Sequence, residues 1–360
     1  MNDEGYVYFI DNTVQHEVLD AEASIQAIEA GYRAWGGGLG AINPKTELQV
    51  YGDQGYYNFG LIHGAVEPMG VAALRIKSDY FTQTGPTAYG DKHAGVEGRF
   101  CGLVLLFNTT NGLPMAILND GHIQHMRVAA AAAVAVKYLA RENSETLCIL
   151  GSGGMAHAHA EALCSVRSIK TIDVFSPNRQ HRQTFAQEIG TKLDVEVRVH
   201  NGPETAVRGS DIVACCTNSN SGEVFSGAWL EPGMHVTTVH GAELGPTAAQ
   251  RIDQAVKNQP VRELASHFSV AGRPPEGIVP RPQGWKPPAV TAEMPLLSDV
   301  ILGNAPGRSH DRQITYFSNN EGTGIQFAAA GAAVLERLAQ RDFAGVAKVP
   351  LAWFLEDIRD

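Results

Sequence analysis

Residues 146–163, TLCILGSGGMAHAHAEAL, decide the fold. A five-residue apolar run, Thr146 to Leu150, leads into Gly151-Ser152-Gly153-Gly154-Met155-Ala156, and helix-forming alanines follow at once. This is GxGxxA in the context that gives it meaning, between a strand and a helix. The first glycine permits the tight turn, the second lets the backbone approach a pyrophosphate, and Ala156 lets helix and strand lie close together. The helix start turns free amides toward the anion. A second strand, IKTIDVF (169–175), closes the unit. Gly151, Ser152, Gly153, Gly154, Met155 and Ala156 are therefore the first candidate cofactor-binding residues.

Downstream, the pattern alternates. After IKTIDVF come a helix at 179–190, a strand VEVRVH, a helix around 203–208, then strands DIVACCT and HVTTVH. Strands alternating with helices predict a parallel sheet covered on both faces. An NAD enzyme usually carries an acidic residue at the tip of the second strand. Here Asp173 lies inside the strand, and the tip offers Ser176, Asn178, Arg179 and Arg182, whose hydroxyl, amide and guanidinium donors suit a 2′-phosphate. NADP is the expected cofactor and NAD the alternative. Thr217 and Asn218, ending DIVACCTN, stand where strand ends meet a ligand, and His240 ends another such strand, with a structural histidine the plainer reading there.

Upstream, Ile25, Ile28, Tyr32 and Trp35 mark an amphipathic helix capped by Asp20 and ended by Gly36-Gly37-Gly38. The runs ELQVYG, GVAALRIKSD, GLVLLFN and PMAILND read as strands. Residues 125–141 predict a buried, alanine-rich connecting helix. Seven prolines between Pro274 and Pro295 exclude regular structure and suggest a wall or lid over a cleft. Gly324 to Asp342 reads as a helix again, and LAWFLEDI as a last amphipathic piece.

The 360 residues include 44% hydrophobic and 18% charged ones, the composition of a globular chain. Lys and Arg number 28 against 38 Asp and Glu, a formal charge of −10 without long like-charge runs, so binding to nucleic-acid backbones is not expected. The longest apolar run, Val128 to Val136, is too short to cross a membrane. The acidic N-terminus shows no secretory pattern, so the cytoplasm is the expected location. Five cysteines without a CxxC pair read as structural. His157 and His159 point about 200° apart on a helix. With no HExxH or acidic cluster beside them or beside His122 and His125, no metal site is expected.

With GLVLLFNTTNGLPMAILNDGHIQHMRVAAAAAVAVKYLA running directly into ETLCILGSGGMAHAHAEAL, and with EPGMHVTTVHGAE and GNAPGR further on, the chain resembles the ornithine cyclodeaminase and mu-crystallin family over nearly its whole length. The resemblance implies an α/β chain of two domains. A Rossmann domain with a doubly wound parallel sheet (128–299) would be flanked by a discontinuous α+β substrate-binding and dimerisation domain (1–127 and 300–360). It also implies a homodimer. Arg127 in HMRVAAA matches the family arginine that holds the substrate carboxylate, and Lys77 in LRIKSDY its substrate-binding lysine. A planar guanidinium grips a carboxylate bidentately, and a nearby lysine adds a second positive charge.

Three departures stand out against that family. Pro44-Lys45 replaces a common Pro-Arg, leaving Lys45 a third candidate for the carboxylate. The cyclodeaminase aspartate falls on Ala242, so that only Glu243, one residue on, could take its place as a catalytic group. An aspartate of the C-terminal helix becomes Phe327. The expected function is NAD(P)H-dependent oxidoreduction at a C=N or amino carbon of a small amino, imino or 2-oxo acid, by an imine or ketimine reductase or an amino-acid dehydrogenase. The alternatives are a cyclodeaminase using bound NAD, and a crystallin-like binder of NADPH or ligand without turnover.

Overall fold

The computed structural model describes residues 5–43, 45–52, 55–82, 91–219, 223–239, 243–260, 267–269, 294–319 and 322–356. The chain begins with β1 (Tyr6–Ile10), α1 (Asn12–Val18) and α2 (Ala21–Gly36). Asp11 and Asp20 cap the two helices, each carboxylate accepting the amide three residues on, at 2.9 and 2.8 Å. Seven strands follow: β2 (Gly40–Ile42), β3 (Thr46–Gly52), β4 (Gly55–Val66), β5 (Val71–Thr82), β6 (Asp91–His93), β7 (Gly102–Asn108) and β8 (Pro114–Asn119).

Helix α3 (Gly121–Leu139) then carries the chain into alternating units: β9 (Thr146–Leu150), α4 (Gly154–Val166), β10 (Thr171–Phe175), α5 (Arg179–Leu193), β11 (Glu196–Val199), α6 (Pro203–Val207), β12 (Ile212–Cys215), β13 (His235–Thr238), α7 (Pro246–Ala249) and β14 (Gln254–Lys257). The last elements are β15 (His267–Ser269), α8 (Leu297–Ile301), β16 (Thr315–Ser318), α9 (Gly324–Ala339) and β17 (Ala347–Pro350).

Two sheets result. One has seven strands in the order β11-β10-β9-β12-β13-β16-β14, and every pairing in it is parallel. Strands β9, β10 and β12 are almost wholly buried, as central strands covered on both faces must be. The other has ten, mostly antiparallel, running β15-β3-β4-β5-β7-β8-β1-β17 with β2 on β4 and β6 on β5.

Between the sheets lies α3, packed on α2, α4 and α9 and touching β13 and β16. Every residue from Met126 to Val136 is buried. A helix enclosed on all sides needs small side chains, which is why alanine dominates it.

The structure alters several expectations. The divisions expected at 128 and 300 are not those of the sheets: β16 inserts between β13 and β14 of the parallel sheet, while β15 pairs with β3 of the other. Strand β4, twelve residues long, escaped the reading because Gly55, Gly60 and Gly64 break its pattern. Of the last piece, LAWFLEDI, the described residues Leu351–Phe354 form a single 3-10 turn, with Trp353 and Phe354 exposed. The proline-rich excursion lies outside the described residues, apart from its last two.

The inner face of the ten-stranded sheet divides along its strands. Near β1, Val104, Leu106, Ala116 and Leu118 are buried in the core shared with α2, α3 and α9. Toward β3 the same face turns polar, with Glu47, Gln49, Asn58 and Asp79 all buried.

Candidate active site

The cofactor wall is the carboxyl end of β9. Gly151 takes φ +129°, a region that residues with side chains rarely adopt, and a Cβ there would lie 2.4 Å from the Cys216 carbonyl oxygen. Its amide donates to the Phe175 carbonyl at 2.8 Å, holding the turn to the end of β10. At Gly153 a Cβ would meet nothing within 4 Å, so the backbone is open to a ligand. Gly153 is also the N-cap of α4 and has no side chain to satisfy the first amides. Ala156 is fully buried beneath. An exposed turn, uncapped amides and open space fit a pyrophosphate.

At the tip of β10 the candidates separate. Ser152 and Ser176 join hydroxyls at 2.8 Å. The Asn178 side chain caps α5, accepting the His181 amide at 3.0 Å. Arg182 is buried and donates to the Ser176 carbonyl at 2.8 Å and the Asn201 side chain at 3.1 Å, so it shapes the loop rather than facing a ligand. Arg179 stays exposed beside them. Asp173 is buried and gripped by Arg198 (2.9 and 2.7 Å) and His200 (2.6 Å), which takes it away from a ribose.

Thr217 and Glu243 meet each other. The Glu243 carboxylate accepts the Thr217 amide at 2.7 Å and its hydroxyl at 2.8 Å. Glu243 is 0% exposed, and these two bonds fix the turn after β12. Asn218 follows in that turn. His240 and Ala242 lie outside the described residues. Cys215 and Cys216 are buried, and burial with Glu243 nearby drives both thiols well above their ordinary values, which suits packing.

The opposite wall is built on Arg127, at the start of the enclosed part of α3 and 3% exposed. Nη2 and Nε donate to the Gln124 side-chain oxygen at 2.8 and 3.2 Å, and Nη1 to that of Gln326 at 2.8 Å. Its guanidinium carbon stands 4.9 Å from the centre of the Phe327 ring. No carboxylate among the described residues pairs with it. Burial, then Arg75, push its pKa down to about 9, against the pull of Asp120 and Tyr32. A buried cation with neutral partners is an anion site by physical default.

Two glycines make room for it. At Gly322 a Cβ would sit 2.0 Å from Arg127 Nη1; at Gly324 it would strike the His63 carbonyl carbon at 1.9 Å. The start of α9 is thereby pressed onto β4. The same turn delivers Gln326, whose Nε2 donates to the Tyr32 hydroxyl at 2.8 Å while Tyr32 donates to Asn258.

Beside Arg127, Arg75 of β5 donates twice to one Asp120 oxygen, at 2.8 and 2.5 Å, and lies 5.7 Å from the Phe327 ring centre. Lys77, two residues on, shares its face of the strand. Lys77 is on an interior strand, in register with Gly60 and Gly102. Its ammonium is 2.8 Å from Asp79, and Lys92 of β6 approaches the other oxygen of Asp79 at 2.5 Å. Burial alone would raise the Asp79 carboxyl, but the two ammonium groups hold it below its usual value. Lys45 pairs with Glu47.

His125, set aside as half of a histidine pair, comes against the glycine turn: a Cβ on Gly154 would touch its ring at 2.7 Å. Burial lowers its pKa. His122 instead donates to the Leu19 carbonyl, while His157 meets Glu188 and His159 is buried against Met155. Lys92, Gly322 and His125 became visible only when distant segments met.

Comparison with known proteins bears on the family and the fold. The family described as Ornithine cyclodeaminase/mu-crystallin family matches residues 10–342. A Delta(1)-pyrroline-2-carboxylate reductase of Bacillus cereus is 32% identical over 219 residues, 61% of this chain and 65% of the relative. A ketimine reductase mu-crystallin of Macropus fuliginosus is 28% identical over 61% of this chain and 65% of its own. The solved structure of Thermococcus litoralis Delta(1)-pyrroline-2-carboxylate reductase in complex with NADH and L-proline superposes with TM-score 0.75 at 21% identity, covering 93% of this chain and 98% of that one.

Proposed function

The chain belongs to the ornithine cyclodeaminase/mu-crystallin family, and from that premise we propose an NADP(H)-preferring oxidoreductase acting at the C=N or amino carbon of a small carboxylate substrate. The observation that carries this reading is Arg127, a buried guanidinium without a carboxylate partner among the described residues. It would hold the substrate carboxylate, aided by Lys77 and Lys45. Relatives named as pyrroline-2-carboxylate and ketimine reductases support the choice of reaction.

Gly151 to Ala156 would cradle the pyrophosphate, with Thr217 and Asn218 at the neighbouring strand end and Ser176, Asn178 and Arg179 around the adenosine ribose. NADP is favoured over NAD because exposed Arg179 remains available to a 2′-phosphate while Asp173 does not reach the tip. When bound, the dinucleotide supplies the hydride. The protein's part is placement: Arg127 fixes one end of the substrate, and the enclosed core around α3 excludes water from it. An iminium is already electrophilic, which lessens the need for a strong general acid.

A cyclodeaminase needs a carboxylate at the reacting nitrogen. Phe327 and the buried Glu243 supply none here. Dimerisation through the outer face of the ten-stranded sheet completes the proposal: Leu103 (39%) and Phe9 (41%) are exposed on that sheet. The cytoplasm is the proposed location; no described helix is long and apolar enough to cross a membrane.

The test is absorbance loss of NADPH and of NADH with 2-oxo acids plus ammonia or methylamine and with cyclic ketimine carboxylates, alongside ammonia release from ornithine and lysine. Consumption only where an imine can form, with preference for NADPH, is the expected result. Ammonia from a diamino acid without net cofactor change would replace this reading with the cyclodeaminase, and tight cofactor binding with no product in either channel would point to a binder.

A further inference from the structure

The inner polar face carries more positive charge than one carboxylate requires. Arg75 is matched by Asp120, and Lys45 by Glu47. Asp79, by contrast, is shared by two ammonium groups, Lys77 and Lys92, and Arg127 bonds amide oxygens beside a ring, with no carboxylate partner among the described residues. Five cations thus face three carboxylates among the described residues, and the two excess charges lie apart: one where α3 meets α9, the other on β5 and β6.

Access reinforces the count. The Asp79 side chain is 1% exposed, while those of Lys77 and Lys92 are 20% and 33% exposed. The carboxylate is behind and the ammonium groups are in front, so an incoming molecule meets cations. On the β4 side of Lys77 the floor lacks a side chain, while on the other side Asp120 covers Gly102. Lys77 is in register with Gly60 on one side and Gly102 on the other, and Gly60 is in register with Glu47. A Cβ at 60 would touch Lys77 and Glu47 at ordinary distances of 3.6 and 3.7 Å, so the missing side chain leaves a shallow trough between them. Lys92 is further held by the Phe100 ring, 4.0 Å from its ammonium.

We infer that the substrate carries a second carboxylate, held at Lys92 in front of Asp79 while the first lies against Arg127. Residues 75 and 77 are about 7 Å apart along β5, and Arg75 shares the Phe327 ring with Arg127, so a short linear diacid can bridge the two charges where a compact dianion cannot. The inference names the substrate class for the oxidoreductase reading, but it is tested by binding, which needs no turnover.

Binding to the NADPH-loaded protein, followed by calorimetry, compares succinate with butyrate and glutarate with valerate, pairs matched in length. Each diacid is expected to bind at least about tenfold more tightly than its partner, as charge-assisted contacts to a second carboxylate require. Lys92→Met should reduce the ratio to about twofold or less, and Lys92→Arg should retain it. Equal binding of diacid and monoacid by the unaltered protein overturns the inference, as does a Lys92→Met protein, folded by circular dichroism, that keeps the preference. Reduction of monocarboxylic imines with no diacid preference would sink the second carboxylate and leave the oxidoreductase standing. A diacid preference with no cofactor consumption would do the reverse.

Discussion

The two walls of the candidate cleft are made in different ways. The cofactor wall is backbone: an uncapped helix start, a glycine at φ +129° and an open turn, all within six consecutive residues. The substrate wall is side chain: Arg127 from α3, Gln326 and Phe327 from α9, Arg75 and Lys77 from β5, Lys92 from β6. A wall of backbone tolerates no added atoms but asks little of its neighbours. A wall of charges depends on what each charge is paired with, and its chemistry changes with a single partner.

The comparison breaks most sharply at Gly151. Gly151→Val forces a side chain into a positive-φ position and against the Cys216 carbonyl, and we expect a loss of about 3 kcal/mol or more in stability together with loss of dinucleotide binding, read by denaturant unfolding and cofactor fluorescence. If NADH still binds with unaltered affinity, the turn is not the pyrophosphate site.

Arg127→Met should act in the opposite sense on the fold. Removing a buried cation that has no carboxylate partner among the described residues is expected to leave stability unchanged or raise it by about 1 kcal/mol, while kcat/KM falls by about a thousandfold or more and cofactor Kd hardly moves. A destabilised Arg127→Met protein would show that the guanidinium serves the fold first. Gly322→Ala sharpens the same point more gently: its methyl displaces Nη1 without touching any charge, and should raise KM by about tenfold with a smaller effect on kcat.

A separate prediction concerns the cofactor half alone. Burial lowers the His159 pKa to about 4, against about 6.5 in an unfolded chain. The unfolded state therefore takes up the proton first: stability is full above pH 6.5 and is lost as pH falls toward 4, by about 3 kcal/mol. His159→Asn, which keeps a side-chain nitrogen near the Met155 carbonyl, should flatten the slope of urea-unfolding stability between those pH values. His235, pushed down to about 3 with the same sign, maintains the rest.

The same contrast explains what the sequence makes legible. The β9–α4–β10 unit could be read because backbone conformation is written locally, in the residues that adopt it. Arg127 and Lys77 could be singled out only through resemblance, since nothing near either in sequence says what it faces. Strand β4 was lost because its three glycines serve partners elsewhere: Gly60 leaves space between Glu47 and Lys77, and Gly64 admits the start of α9. The bond of Glu243 to Thr217 could not be read because the two are 26 residues apart. Arg182 looked like a phosphate ligand until the carbonyls of its own loop claimed it.

Helix α3 has one more consequence. His125, touching the glycine turn, and Arg127, facing Phe327, are two residues apart on the same rigid rod, separated by a rise of about 3 Å. The rod is clamped along its length by close-packed alanines and does not slide. The chain therefore carries its own gauge: the span from nucleotide wall to carboxylate grip is metered by helix pitch rather than by loops, and changes in substrate size must be absorbed on the sheet side of the cleft.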